Sequence, residues 1–415
     1  MLIDIISIFY PPEKGAAPAR ISKLASVLAT AGHDVEIVTA LPSYPTGRIF
    51  PAYRGRLRTF ERRNGVRVMR AWAYPSNSSR PLARVANMTS FAMGIAWFVP
   101  RLALARRPDV VIVQSPPFAI GLAGVIAGRL CGARVILNVS DLWPTTALDL
   151  GVMSRGTTFD FLVAAERWMY RTADAVVGQS SEILARVRQM APGKSTFLYR
   201  NLDKPGPAPQ RAIQSSAEHG DSPGGRLRIA YAGLLGVAQG VLEICKNVDF
   251  DALGAELHIF GEGRQLEAVE HYAAITTGII YRGTLPKHEL DQLMPTFDAS
   301  LVPLTRRIRG AVPSKVYAGI AAGVPLLFVG EGEGAEIVRE HGIGLVSSAG
   351  DFSGLRANVA ALTQMTPAER AAMRTRMERL QVGEFSFRRQ AAEFLDWLGA
   401  PGPDPTAAPQ STPTP

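Results

Sequence analysis

"FYPPEKGAAPARI", residues 9–21, decides how the rest of the chain is read. Ahead of it, "LIDIISI" (2–8) is a continuous apolar run of strand length. Behind it, Ile21, Leu24, Leu28 and Ala31 recur on one helical face. Pro18 sits in a first turn, where its missing N–H is no loss. Gly32 stops the helix and "VEIVTA" (35–40) begins a second strand. Strand, loop, helix and strand make one winding of an α/β sheet. The G-x-G-x-x-G of a dinucleotide fold is absent, since Gly15 is the loop's one glycine. Hydride transfer therefore loses its best support. Small residues at 15–17 let a ligand reach the backbone and the helix start, where N–H groups favour an anion or hydroxyl. A tight turn without a ligand is the plain alternative.

The same rhythm runs outward from this point. Further strands are expected at 109–114, 133–139 and 173–179, with a helix over 180–190 capped by Ser180 or Ser181. Residues 201–226 are rich in Pro, Gly and Ser and read as an interdomain linker. The rhythm then restarts, with strands at 227–233, 255–261, 278–283, 298–304, 324–330 and 343–348. Helices near 240–248, 263–274, 286–296, 313–322 and 332–340 separate them. This gives two doubly wound, Rossmann-like α/β domains, 1–200 and 227–385, which face a cleft. A final helix is expected at 386–397, and the tail 398–415 is compositionally disordered.

Bulk properties narrow the function. A length of 415 residues fits two domains, and 47% hydrophobic with 20% charged residues is the balance of a soluble globular protein. The net charge of +9 favours anionic partners. Two distant cysteines, Cys131 and Cys245, fit a reducing compartment, and no signal peptide is read at the start. The window 85–105 is about long enough to cross a bilayer but contains Pro100 and Arg101. It reads as an internally packed helix or as one lying in the bilayer surface. The stretch Arg54–Arg70 has seven arginines and one acid, Glu61. It reads as a solvated, irregular surface or as a dock for anionic lipid or a lipid-linked pyrophosphate. Scattered histidines give no metal-ligand spacing, and "DFD" (249–251) reads as a loop.

"YPPEKGAAPARISKLASVLATAGHDVEIVTA" (10–40) resembles the opening of glycosyltransferase family 4, with Ala16 in place of the second glycine. "LPSYPTGRIFPAYRG" (41–55) and "SDLWPTTALDLGVM" (140–153) resemble a subgroup that builds exopolysaccharides and O antigens by transferring fucose or N-acetylfucosamine. "YAGLLGVAQG" (231–240), "IFGEG" (259–263), "VPSKVYAGIAAGVPLL" (312–327) and "GEGEGAEIV" (330–338) follow in the family's order. The resemblance implies the two-domain GT-B fold, a UDP- or GDP-sugar donor on the second domain, and a glycan or isoprenoid-pyrophosphate-linked acceptor on the first. It also implies retention of anomeric configuration without a metal or other cofactor. The expected place is the cytoplasmic face of the cytoplasmic membrane, held peripherally, with no nucleic-acid partner.

Residue by residue, the family's Arg and Lys in the first donor loop are here Leu234 and Gln239, and its pair of glutamates falls on Gly310 and Ala318. Departing diphosphate must still be neutralised. What remains is the turn holding Gly233 and Gly236, the Gln239 amide, the helix start at Gly240, and Lys315, followed by Arg309 and Arg306. Backbone around Arg282 is expected at the base, and Glu336 or Glu333 at sugar or ribose hydroxyls. In the first domain Asp141, with Glu13 in reach, is the candidate to orient or deprotonate an acceptor hydroxyl. Gly15, Ala16 and Tyr44 are expected to meet the acceptor, and His33 reads as a turn residue. Two other functions compete: a nucleotide-sugar epimerase on the same architecture, and a non-catalytic binding partner of a polysaccharide assembly complex.

Overall fold

The computed structural model describes residues 1–76, 81–203 and 225–400. Most of the expected linker and of the expected tail lies outside the described residues. The chain forms two compact units, one of residues 1–200 with 391 onward and one of residues 201–390.

The first unit is an eight-stranded sheet ordered β3-β4-β2-β1-β5-β6-β7-β8. Its strands are β1 (Leu2–Ile6), β2 (Asp34–Ala40), β3 (Arg58–Arg63), β4 (Val66–Ala71), β5 (Val110–Ser115), β6 (Arg134–Val139), β7 (Ala175–Gly178) and β8 (Ser195–Leu198). All neighbours are parallel except β3 against β4. The central strands read as near-continuous apolar runs because helices cover both faces. Ile3, Ile5 and Ile112 pack under helix Ala16–Thr30 through Ile21, Leu24 and Leu28. Val113, Val135 and Leu137 pack on the other face with Phe91, Ile95 and Phe98.

The structure departs from the sequence reading at β8, which that reading lacks, at the stretch 58–71 and at the last helix, while the window 85–105 is a helix as expected. The stretch 58–71 is a β-hairpin rather than an irregular surface, closed by Asn64 and Gly65 with φ of 51° and 81°. Two residues of positive φ form the turn whose twist matches its strands. Two of its arginines are internal ties. Arg70 is buried, donates from Nε to Glu61 at 2.9 Å and from Nη1 to the Ala40 carbonyl at 3.1 Å. Arg67 pairs with Asp34 and with the buried Glu36 at 3.1 Å. The window 85–105 becomes helix Pro81–Arg101 continued by a π-turn segment, Leu102–Arg106. Arg101 closes on Glu36 at 2.6 Å and Arg106 on Asp4 at 3.1 Å, so the positive charges that argue against a bilayer span instead pin the helix to the sheet.

The last helix, Phe387–Gly399, packs into the first unit rather than standing apart. Phe394 and Leu398 fall one turn apart and enter the core beside β1 and β7, with the Phe394 ring 5.0 Å from Tyr199. Arg134 Nη1 ties its end at the Leu398 carbonyl, 2.8 Å away.

The second unit is a wholly parallel sheet ordered β11-β10-β9-β12-β13-β14. Its strands are β9 (Leu227–Ala232), β10 (Ala255–Phe260), β11 (Ile279–Tyr281), β12 (Ala299–Pro303), β13 (Leu326–Val329) and β14 (Gly344–Ser347). Cores on the two faces gather around Ile229, Leu257 and Leu301, and around Val302, Phe328 and Val338. In both sheets the strand order reverses once, between β1 and β5 and between β9 and β12. Open α/β sheets bind ligands at that reversal, outside the carboxyl ends of the strands.

Candidate functional site

In the second unit the loop after β9, residues 233–240, hangs at the reversal. It is built by backbone bonds. Gly233 N–H donates to Phe260 O at 2.9 Å and Leu235 N–H to Glu262 O at 2.8 Å. Side chains are excluded from this contact. A Cβ on Gly261 would collide with the Gly233 carbonyl, and one on Gly263 with the Leu235 carbonyl. Tyr231 Oη donates to the Leu234 carbonyl at 2.6 Å, which fixes the turn from beneath. Gly240 has φ of 64°, and Thr305, in the loop after β12, donates from N to the Ala238 carbonyl at 3.0 Å. The two loops flanking the reversal are therefore one tied body.

Lys315 enters this body from the first turn of helix Ser314–Ala322. A Cβ built on Gly233 would lie 2.5 Å from its Cε and 2.6 Å from its Nζ, so only glycine leaves room for the ammonium. Nζ also lies 5.2 Å from the centroid of the Tyr231 ring. Desolvation by burial pushes the Lys315 pKa down. Among the described residues no carboxylate pairs with it, and a cation at a helix N-terminus opposes the helix dipole. Burial, dipole and lack of a counter-charge all penalise the ammonium until an anion arrives. In the loop after β9, Gln239 Oε1 is buried with no hydrogen-bond partner, 2.8 Å from where a Gly236 Cβ would stand.

The other expected donor residues separate. The helix after Gly240 is Val241–Asn247, only two turns long. Arg282 is exposed and donates from Nε to His258 Nδ1 at 3.2 Å, while its N–H holds the Ile259 carbonyl at 2.8 Å. Its guanidinium is thus engaged with His258. Glu333 is buried and Glu336 exposed, both in the first turn of helix Glu333–Glu340. Arg307 Nε lies 3.8 Å from a Cβ position on Gly332, just ahead of that helix, and Arg306 is exposed.

In the first unit the loop after β1 carries Glu13, buried at 5% exposure. Its Oε1 accepts the N–H groups of Ser43 and Tyr44 at 2.8 and 2.9 Å, so its first task is to hold the loop after β2. Its Oε2 is buried without a partner, and burial raises its pKa. Gly15 caps helix Ala16–Thr30 with φ of 132°, and a Cβ there would meet the Tyr44 ring at 3.6 Å. Glu13, Gly15, Ala16 and Tyr44 thus form one neighbourhood.

Asp141 follows β6 and sits in a different setting. Burial raises its pKa to about 6, partly countered by the positive charge of Arg20. Arg20 projects from the first helix and donates to Gln179 Oε1 at 3.3 Å; its Nε is buried with no partner. Behind Asp141 a buried amide chain stiffens the strand ends. Asn138 donates to Gln114 Oε1 at 3.0 Å, and Gln114 donates to Ser140 Oγ at 3.0 Å. Sequence reasoning missed Arg20 and Tyr231. The signal for Arg20 was its position two residues beyond Pro18, in the turn that opens toward the loops. Nothing in one sequence marks Tyr231, whose role depends on a lysine 84 positions away.

Residues 15–196 match the model of the glycosyl transferase 4-like domain, and residues 225–365 that of glycosyl transferases group 1. Over 60% of its length the chain is 24% identical to a protein of Escherichia coli described as a putative colanic acid biosynthesis glycosyl transferase, WcaI, and the match covers 62% of that protein. Over 65% it is 26% identical to WbjE of Pseudomonas aeruginosa, described as a probable glycosyltransferase, and covers 69% of it. The chain therefore spans just under two thirds of the first of these relatives and slightly more of the second. Among solved structures, Alr3699/HepE of Anabaena in complex with UDP superposes with a TM-score of 0.67 at 11% identity, covering 96% of this chain and 99% of that one.

Proposed function

Since the chain belongs to the glycosyltransferases of GT-B fold, we propose that it moves a sugar from a nucleotide-sugar donor to a glycan acceptor in bacterial surface polysaccharide synthesis. The observation that carries this reading is Lys315: a desolvated ammonium with no acid beside it, pressed against a glycine loop at the sheet reversal. A diphosphate supplies the missing charge. As the bond between the anomeric carbon and the phosphate oxygen breaks, negative charge grows on the leaving group. Lys315 and those N–H groups of the loop that are not bonded within the protein meet it already oriented, which favours the transition state over the ground state. The Gln239 amide offers a further polar contact.

On the first unit, Asp141 orients the acceptor hydroxyl, and the loop of Gly15, Ala16 and Tyr44 receives the acceptor. Resemblance to family 4 supports attack on the face the phosphate leaves, with that phosphate as base and without a metal. The donor is a UDP- or GDP-sugar; the UDP bound by the Anabaena protein favours the first. The acceptor is a glycan on an isoprenoid pyrophosphate at the cytoplasmic face of the membrane. Fucose or N-acetylfucosamine is the sugar to try first, on the sequence resemblance of residues 41–55 and 140–153.

Nucleotide release from a panel of UDP- and GDP-sugars, with and without membrane lipid extract and with EDTA, tests this. Release that needs the extract and survives EDTA is expected. Turnover of donor alone into an epimer, or binding without turnover, overturns it in favour of an epimerase or a binding partner.

A further inference from the structure

Helix Pro81–Arg101 is apolar on the side that faces water as well as on the side that faces the sheet. Phe91, Ile95, Phe98 and Leu102 are buried. Its outward positions are Val85, Thr89, Met93, Ala96, Trp97, Pro100 and, past its end, Leu104. No charged residue interrupts this stripe. Met93 is 76% exposed, Trp97 68% and Leu104 74%. The helix is long and apolar enough to cross a membrane, yet only 22% of its apolar window is buried in the protein. A helix apolar all round belongs in an apolar surrounding.

The neighbouring hairpin continues the stripe and supplies charge. Gly94 brings the helix against β4, where a Cβ would stand 2.9 Å from that of Ala71. Phe60 of β3, 56% exposed, lies edge-on to Phe98 at 6.3 Å, and the Arg101 guanidinium lies 5.8 Å from its ring centroid. Alternate residues of a strand share a face, so Arg58 and Arg62 flank Phe60 on the side turned to the helix. Both are exposed, as are Arg54, Arg56 and Leu57 before them. Among the described residues Arg56, Arg58 and Arg62 make no ion pair.

We infer that this face docks on an anionic lipid bilayer. Trp97, Met93 and Leu104 enter the headgroup boundary while the hairpin arginines meet lipid phosphates. Two features of the surface choose the bilayer over a protein partner: unpaired cations border the apolar stripe on one side, and an aromatic with a polar N–H sits within it. Arg101 and Arg106, held by Glu36 and Asp4, keep the helix in the surface plane rather than across the membrane. The inference deepens the proposed function, since a lipid-linked acceptor would be met at this surface.

Co-sedimentation with vesicles tests it. Expected is binding to phosphatidylcholine vesicles that contain phosphatidylglycerol, weak binding to phosphatidylcholine alone, and loss of binding at high salt. W97S/M93S and, separately, R58E/R62E should each weaken it by about tenfold or more, at about 1 kcal/mol for each cation at the surface. A UDP-induced thermal shift retained by both variants reads the second unit independently of lipid, and a wild-type circular-dichroism spectrum and melting temperature show that the first unit folds. Equal binding to neutral vesicles overturns the role of the arginines. Unchanged binding by both variants, or a dimer in solution that W97S/M93S dissolves, overturns the bilayer in favour of another face or a second copy.

Discussion

The two loop clusters at the sheet reversals satisfy charge in opposite ways. In the first unit the charges have partners: Glu13 holds two backbone N–H groups, Arg70 holds Glu61, and Arg20 offsets Asp141. In the second unit backbone and glycine build the site, and among the described residues no carboxylate pairs with the desolvated ammonium of Lys315. A paired charge keeps its surroundings in place, whereas an unpaired desolvated charge costs the fold stability until a ligand offsets it. Under the proposed function, the contrast would separate a rigid acceptor surface from a donor surface completed by the donor itself.

The strongest way to break this comparison is D141N. Asp141 has a pKa near 6, so transfer should fall as pH drops below that value, where the carboxyl is protonated. D141N should lower turnover by roughly 100-fold and erase that acid limb, in steady-state rates against pH, with donor binding intact. A variant with the wild-type profile would strip Asp141 of its role.

K315A comes next. One charge-assisted contact to phosphate is worth about 1.5–3 kcal/mol, so UDP affinity by calorimetry should drop roughly 10- to 100-fold. The ligand-free protein should melt no lower than wild type, because a desolvated ammonium has been removed. A destabilised variant that binds UDP normally would make Lys315 a structural residue. G233A should act in the same direction, since its Cβ would displace the Lys315 side chain and alanine is strained at the Gly233 φ of 151°; about tenfold weaker UDP binding is expected.

The smallest effect sharpens the account of the first unit. Glu166 is buried at 1% exposure, accepts from Tyr170 Oη at 2.8 Å and has a pKa raised from 4.5 to about 7. Its raised pKa means that the folded protein holds this proton more tightly than the unfolded chain. Stability is therefore lost as pH rises from 4.5 through 7, where ionisation becomes a cost to the fold. E166Q should gain about 1 kcal/mol in melts near pH 8 and lose that gain toward pH 4.5. A gain independent of pH would point to packing instead.

Parts of the molecule were open to reading and others were closed. Strand–loop–helix windings are local: apolar runs, a proline in a first turn and a glycine after the last turn suffice, and the second sheet and five strands of the first follow from them, whereas β3, β4 and β8 do not. The hairpin was legible too, since Asn64-Gly65 between two short strands is a strong turn signal. The density of arginine around it masks that signal. The final helix reads as separate because nothing local tells Phe394 and Leu398 which core they enter.

Sequence alone was enough for the alternation of elements, the glycines of the loop after β9 and the lone lysine of "VPSK". Only the tertiary structure brought that lysine against Gly233 and Tyr231, set Arg20 near Asp141, and turned an apolar stripe of helix Pro81–Arg101 to water. Periodicity and turn chemistry act over a few residues and are written along the chain. Charge compensation and burial act between residues distant in sequence, and their sign is fixed only when the sheet order brings those residues together.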